Sequence, residues 1–317
     1  MSETFYYLRH TAHYRYPAEA RSAYGRLTII PRDGGGQNLF ASHLLMDPWP
    51  SRETTRPDYH RNTCTYVQFD QPHTELRIQA ASVMRVSRKT PDPARLPRVT
   101  WEAAAQAVRT VLTPEGMLHV GNETAALAVA ESRLASPLID LTDELRKFAM
   151  NSFAPGRPLV DTVLDLAGRL AESFHLTPLT RTTEDGMLRA LRSGRGTIKD
   201  LTHLFIGSLR SMGLAARYLT GYVFSGGVGQ VHSWVALWVP SGGWVHIDPS
   251  TGELVDRRYV VLGWGRDTWD VIPLRGVVFG DNVGIRPDVQ VHMEELDPDA
   301  AEERAIEIRT AVSPSGA

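Results

Sequence analysis

Two residues on neighbouring alternating segments have the side-chain types needed for general-base chemistry. His232 lies in the alternating segment 231–239 and Asp248 ends the alternating segment 244–248, with the turn 240–243 between them. Alternation with period 2 is typical of strands, so we predict a hairpin that brings His232 near Asp248 if its register approximately pairs them. A histidine oriented by a carboxylate is the general-base half of a nucleophilic triad. The alternative is a structural hydrogen bond that ties the two strands together.

A nucleophile for such a pair belongs at the N-terminus of a helix, where the helix dipole lowers the pKa of a thiol. Residues 198–212 form the clearest helical pattern, because their apolar positions recur every three or four residues along one stripe. Thr197 precedes the stripe and Asp200 follows three residues later, which is typical of a capping box. Gly213 is suited to end the helix. The first helical residue is therefore Ile198, which has no nucleophilic atom.

Four segments of this region resemble, in order, the core motifs of the bacterial transglutaminase-like family. The family reads approximately G-V-C-Q-D-F-A-H-L, A-R-Y-V-x-G-Y, H-A-W-V-E-V and G-W-x-x-x-D-P-T. The corresponding segments here are GTIKDLTHL, ARYLTGY, HSWVAL and GWVHIDPS, which begin at Gly196, Ala216, His232 and Gly243. The sequence is similar to the two-domain form of this family, with a β-rich N-terminal region and a papain-like core, over about residues 5–293.

The resemblance implies a triad of cysteine, histidine and aspartate from which the cysteine is missing. The family's histidine and aspartate correspond to His232 and Asp248, and its cysteine corresponds to Ile198. The glutamine after that cysteine corresponds to Lys199. Burial on the apolar stripe explains Ile198 as a packed residue.

Other side chains are weak substitutes for the missing nucleophile. Thr197 is better explained as the helix cap, and Lys199 would need burial to lower its pKa. Thr202, through its hydroxyl, is the third candidate for a substitute nucleophile on this helix. Cys64 lies in a predicted strand, 63–69, of the other domain, where a buried cysteine is usually inert packing.

Segment patterning predicts an α+β protein with two domains. Short alternating segments with Gly and Pro turns predict an antiparallel β-sandwich-like domain over residues 1–95. Three prolines in residues 90–97 form a linker, and helical spacing begins after it. We predict a transglutaminase-like core of helices and antiparallel sheet over residues 96–293, and an acidic mobile tail over residues 294–317.

Composition excludes several classes of function. The chain has 317 residues, 34 Lys and Arg against 36 Asp and Glu, and a net charge of −2. This balance gives no support for nucleic-acid binding, and no apolar stretch is long enough to span a membrane. The single Cys64 excludes an intrachain disulfide and a cysteine-based metal cluster. We expect no cofactor and no metal site, with His203 and His246 structural, and without a signal-peptide pattern a cytoplasmic location is the default expectation.

Two functions stay open from the sequence. The first is a non-catalytic pseudoenzyme or scaffold that binds a peptide or a protein, with Lys199, Trp234 and Trp244 as binding residues. The tryptophans are equally consistent with core packing. The second is an amide-bond hydrolase or acyltransferase that uses His232 and Asp248 without a cysteine.

Overall fold

Two packed antiparallel sheets form the N-terminal part of the fold. The computed structural model describes residues 3–178, 186–280 and 287–311. The first sheet contains, from edge to edge, β15 (Asp288–Leu296), β1 (Thr4–Ala20), β6 (His73–Val86) and β3 (Gln37–Asp47). The second contains β14 (Leu274–Phe279), β2 (Ser22–Leu27), β5 (Thr63–Phe69) and β4 (Arg52–Pro57). Buried apolar side chains from both sheets, such as Phe69 and Ile78, pack between them. The predicted sandwich is therefore present.

Two strands from the end of the chain complete this sandwich, which corrects the predicted domain limits. β14 pairs with β2, and β15 pairs with β1 from His13–Asp288 to Phe5–Leu296. Residues 96–293 are therefore not one core domain, because the chain returns to the N-terminal sheets at Leu274. Alternation predicted β15 as a strand, but alternation does not say which partner a strand pairs with.

The predicted mobile tail is also corrected. Its residues 294–296 continue β15, and α8 (Pro298–Thr310) follows with Asp297 as its N-cap. Ala301, Ala305 and Ile308 are buried against the first sheet, at helical spacings of 4 and 3. Residues 312–317 of the predicted tail lie outside the described residues.

A layer of helices and a third sheet form the core that follows the linker. The helices are α1 (Trp101–Arg109), α2 (Pro114–Val120), α3 (Glu123–Glu131), α4 (Asp143–Met150), α5 (Leu159–Ser173), α6 (Gly186–Ser193) and α7 (Ile198–Ser211). The sheet contains, from edge to edge, β12 (Glu253–Leu254), β11 (Gly243–Asp248), β10 (Val228–Val239), β9 (Ala216–Ser225) and β13 (Tyr259–Gly265). Two short strands, β7 (His175–Leu176) and β8 (Arg195–Gly196), form a separate parallel pair. The architecture is α+β.

The helix α7 is the centre of this core. Its residues from Leu201 to Arg210 are all buried, and apolar residues of β10 and β11, such as Val235 and Ile247, belong to the same apolar cluster. The predicted capping box between Thr197 and Asp200 is confirmed. Gly213 has a φ of 82° and ends the helix as predicted. The predicted start of the helix at Ile198 is therefore also confirmed.

None of the helices in the described parts of the chain is long and apolar enough to cross a membrane.

Candidate functional site

The hairpin of β10 and β11 brings His232 and Asp248 together. Its register pairs Val239 with Gly243 and Val235 with Ile247. Continuing this register sets Asp248 opposite Trp234, so His232 reaches Asp248 diagonally and not from the directly opposite position. The expected proximity is present, but the direct pairing on which it was based is shifted by two residues.

Asp248 accepts hydrogen bonds from three residues. His232 Nε2 lies 2.6 Å from Asp248 Oδ2, and the Tyr259 hydroxyl donates to the same oxygen at 2.8 Å. Ser250 donates to Oδ1 from its backbone N–H at 2.8 Å and from its hydroxyl at 2.7 Å. Asp248 is 1% exposed. The buried carboxylate is tolerated because both of its oxygens are hydrogen-bonded.

These hydrogen bonds keep Asp248 ionised and orient His232. Burial raises the pKa of Asp248, but the hydrogen bonds from His232 and Ser250 outweigh burial, so the pKa lies below its ordinary value. Burial and the charge of Asp248 raise the pKa of Tyr259, which therefore stays a donor. An ionised carboxylate only accepts, so His232 Nε2 carries the proton of this hydrogen bond.

The other ring nitrogen of His232 is available to a ligand. Among the described residues, none forms a hydrogen bond with His232 Nδ1, and the side chain of His232 is 16% exposed. In the neutral ring with a proton on Nε2, Nδ1 has the lone pair. His232 can therefore accept a hydrogen bond or a proton from a group outside the chain.

Aromatic rings fix the plane of the His232 imidazole. Trp234 stacks beside it with 6.4 Å between ring centroids, and Tyr259 contacts Trp234 edge-on at 5.2 Å. Trp234 is 0% exposed. Its side chain is packed against Leu219, Val255 and Tyr259, so in this structure it supports His232 from within the fold, and its role as a binding residue stays a prediction.

The N-terminus of α7 lies beside the strand of His232. The Thr202 hydroxyl donates to the Ile198 carbonyl at 2.7 Å and lies 3.4 Å from the carbonyl of Ser233, the residue after His232. Ile198 is partly buried and packs against the helical core. An apolar side chain thus begins the helix that adjoins the strand of His232, and Lys199 follows on the same turn.

Cys64 lies in a different sheet from His232 and Asp248. It is 0% exposed in β5 of the second sheet, where its sulfur lies 3.5 Å from the Thr28 hydroxyl and 3.7 Å from Asp58 Oδ2. Burial raises the pKa of the Cys64 thiol. Burial and the raised pKa that results from it oppose the formation of a thiolate.

His203, His246 and Trp244 each contact other side chains of the fold. His203 Nε2 accepts hydrogen bonds from the backbone N–H and hydroxyl of Thr268, at 3.2 and 2.9 Å. His246 Nδ1 accepts from Trp234 Nε1 at 3.4 Å. Trp244 is partly buried, with the Arg217 guanidinium 4.0 Å from its ring centroid. No group of three or more metal-ligating side chains is found within residues 3–178, 186–280 and 287–311.

Sequence reasoning missed two residues that hold Asp248. Ser250 follows Asp248 by two residues, and an aspartate that bonds the backbone two residues on is typical of an Asx-turn, so this signal was present. Tyr259 had no such signal, because it comes from β13 and reaches Asp248 only through the fold of the third sheet.

Comparisons with known proteins identify the family. The family model for the bacterial transglutaminase-like N-terminal region matches residues 6–85, and that for the transglutaminase-like superfamily matches residues 147–249. The second match includes Ile198, His232 and Asp248. The chain belongs to the transglutaminase-like superfamily. Uncharacterized proteins of Mycobacterium tuberculosis and Mycobacterium bovis are 33% identical over 313 residues, which cover 93% of this chain and 94% of each relative.

Two less similar proteins also match over most of their length. An uncharacterized protein of Mycobacterium leprae is 28% identical over 284 residues, covering 86% of this chain and 92% of the relative. The solved structure of a proposed cysteine protease from Cytophaga hutchinsonii is similar with a TM-score of 0.74, at 15% identity, over 94% of this chain and 93% of that chain. This similarity shows that the two chains share a fold over almost their whole lengths.

Proposed function

We propose that this protein binds a peptide segment beside His232 and does not carry out thiol acyl transfer. The observation that carries the proposal is Ile198 at the first position of α7, beside the strand of His232. In this superfamily we assign that position to the nucleophilic cysteine. A side chain of carbon and hydrogen alone cannot attack an amide carbon, so no thioester forms there.

The rest of the site supports binding. His232 and Asp248 keep the geometry of a general base and its orienting carboxylate, with Tyr259 and Ser250 completing the hydrogen bonds of Asp248. His232 Nδ1 is then a fixed acceptor for an amide N–H of a ligand, since its ring is held by Trp234 and Asp248. A single acceptor beside an apolar helix start fits an uncharged peptide group.

A second candidate function is hydrolysis of an amide by a water that His232 activates. The lone pair on His232 Nδ1 favours it, because a general base needs a free acceptor and an oriented ring. Such hydrolysis forms no covalent intermediate, so its rate depends wholly on His232 as the general base. The two functions therefore differ in whether product forms.

The test uses nuclear magnetic resonance with N-acetyl-glutaminyl-glycinamide, an uncharged peptide that contains the amide types of both candidates. We expect saturable shifts of the His232 ring and the Ile198 δ1 methyl, with no release of ammonia or of cleaved peptide. The methyl of Ile306 on α8, which is 51% exposed, is the internal control and stays unshifted. Absence of shifts at both site residues contradicts binding. Product formation that His232→Ala abolishes supports hydrolysis instead.

A further inference from the structure

Charged and aromatic side chains alternate in one stack on the third sheet. The Arg217 guanidinium lies between Trp244 and Trp264, 4.0 Å from each ring centroid. The Arg32 guanidinium lies 3.5 Å from the centroid of Trp264. These contacts are cation–π interactions, which stabilise a guanidinium through its faces and leave its edge N–H groups unused.

Arg217 has no acceptor for these N–H groups among the residues that the structure describes. Its Nε is fully buried and makes no hydrogen bond. Arg210, a buried arginine nearby in sequence, is the opposite case, because its nitrogens donate to the carbonyls of Ala216, Leu134 and Arg266. A guanidinium has five N–H donors, and a buried unpaired donor is unfavourable. Other arginines, such as Arg32 and Arg88, also have a buried unpaired Nε, but their terminal nitrogens donate to acceptors in the fold, whereas those of Arg217 do not within the described part of the chain.

His246 adds a further donor to the same place. Burial, together with the charges of Arg88 and Arg217, lowers the pKa of His246 well below its ordinary value, so its ring is neutral at pH 7. Its Nδ1 accepts from Trp234 Nε1, which puts its proton on Nε2. His246 as a residue is half-buried, and none of the described residues accepts from Nε2.

The acidic side chains that act on these groups have other partners. Glu131 favours the charged form of Arg217, but it hydrogen-bonds Tyr59 and lies 3.6 Å from His60 Nδ1. Asp256 favours the charged form of Arg88 and is paired with Arg258 at 2.8 Å. The place formed by Arg217 and His246 thus offers donors and positive charge, which is the chemistry that binds a carboxylate.

The donors of Arg217 and His246 lie on the same sheet face as Asp248, the partner of His232. Trp244, His246 and Asp248 alternate along β11 and share one face. At about 3.4 Å per strand residue, His246 lies roughly 7 Å from Asp248 along the strand, and Trp244 roughly 14 Å. An extended peptide of two to four residues spans such distances.

We propose that Arg217 and His246 bind a carboxylate of the peptide ligand, with the indoles of Trp244 and Trp264 enclosing it. The inference rests on the proposed function and names the ligand as a peptide with a free C-terminus or an acidic side chain within four residues of the segment at His232. Carboxylate oxygens would accept from the Arg217 edge in the bidentate manner that a guanidinium favours.

The experiment titrates the full chain with N-acetylglycine and, separately, with uncharged N-acetylglycinamide. The signals followed are the indole N–H groups of Trp244 and Trp264 and the ring of His246. We expect saturable shifts with the acid, and at least about tenfold weaker binding with the amide, since one charged hydrogen bond corresponds to that factor or more. Arg217→Gln abolishes the shifts. Arg275→Gln is the matched control, because Arg275 also stacks on an indole, Trp269, at 4.0 Å, and it keeps the wild-type response.

Three results would overturn the proposal. They are equal binding of acid and amide, wild-type binding by Arg217→Gln, and inorganic phosphate binding as tightly as N-acetylglycine. If Arg217→Gln fails to fold by circular dichroism, Arg217→Lys is measured instead, and several-fold weaker binding is expected because lysine keeps the charge but lacks the planar fork. The uncharged peptide at His232 tests the proposed function separately, so failure of the carboxylate place alone leaves that function standing.

Discussion

His232 and Tyr259 share one acceptor: His232 Nε2 and the Tyr259 hydroxyl lie 2.6 and 2.8 Å from Asp248 Oδ2. The strand β13 is thereby joined to the hairpin of β10 and β11 at the point where the imidazole is oriented. Asp248 is buried, so loss of either donor leaves part of a charged group without compensation.

Tyr259→Phe tests the energetic importance of this arrangement. We expect the free energy of unfolding to fall by about 1.5–3 kcal/mol, the range for a hydrogen bond to a charged group. Chemical denaturation measures this change. Tyr24→Phe, which removes a hydroxyl from a 46% exposed side chain, is the matched control and is expected to change stability by at most about 0.5 kcal/mol. Equal stability of Tyr259→Phe and the wild type would contradict a stabilising hydrogen bond from Tyr259 to Asp248.

Acid should destabilise the fold through buried neutral histidines. Burial lowers the pKa of His10 from 6.5 to about 4. Between these values the unfolded chain binds more protons than the folded one, so stability is present above pH 6.5 and is lost as the pH falls towards 4. The contribution of His10 across this window is about 3 kcal/mol.

Urea denaturation at several pH values between about 7.5 and about 4.5 checks this slope, because that range brackets most of the window in which the two states differ in bound protons. His10→Gln, which has no charge to gain, should have a shallower dependence than the wild type. His119→Gln, at an exposed position of α2, should follow the wild type. The slope does not vanish in His10→Gln, because the pKa values of His203 and His246 are lowered in the same direction. An unchanged slope in His10→Gln argues against its burial as a neutral ring.

The single thiol should be unreactive in the folded protein. Cys64 is 0% exposed and burial raises its pKa, so iodoacetamide should modify it only when the chain unfolds. Mass spectrometry with and without urea measures the modified fraction. Rapid modification of the native protein, with loss of ligand binding and an unchanged circular dichroism spectrum, would return Cys64 to consideration as a functional residue.

The linker before α1 should be the first site of limited trypsin digestion. Residues 90–95 are largely exposed, with a short 3-10 helix at Pro93–Arg95, and Lys89 and Arg95 offer cleavage points. Because β14, β15 and α8 return to the N-terminal sheets, we expect the two fragments to stay associated. Gel filtration after digestion checks this outcome. Earlier cleavage inside α7 would contradict an exposed linker, and separation of the fragments would contradict the pairing of β14 and β15 with the N-terminal sheets.

Local sequence signals predicted the centre of the fold well. The start and end of α7 follow from Thr197, Asp200 and Gly213, since capping acts within a few residues. The helix α2 has no buried residues, so no apolar stripe revealed it. In α8 the buried stripe consists largely of alanine, at positions 301 and 305, which gave little hydrophobic contrast.

Long-range relationships account for what the sequence did not reveal. Pairing of β15 with β1 joins the two ends of the chain, such as Phe5 with Leu296, and no local pattern encodes a partner. His232 and Asp248 were predictable because one hairpin joins them. Tyr259 and Arg217 were not, because β13 and β9 come beside that hairpin only in the folded sheet.

Substitution of Ile198 by cysteine tests whether the site lacks only its reacting atom. Ile198→Cys should fold, with a loss of about 1–3 kcal/mol from the smaller side chain. Its thiol would lie at the N-terminus of α7 beside the strand of His232, and both the helix dipole and a neighbouring imidazolium lower a thiol pKa. Circular dichroism establishes the fold of this variant and of the double variant that combines Ile198→Cys with His232→Ala.

The rate at which the thiol introduced by Ile198→Cys reacts with iodoacetamide at neutral pH is the most direct measurement. Cys64 in the same chain is the internal reference. We predict that the introduced thiol reacts at least about tenfold faster than Cys64, and that His232→Ala removes most of this difference in rate. A slow thiol whose rate is unaffected by His232→Ala would contradict this prediction, and His232 and Asp248 would then be structural residues only.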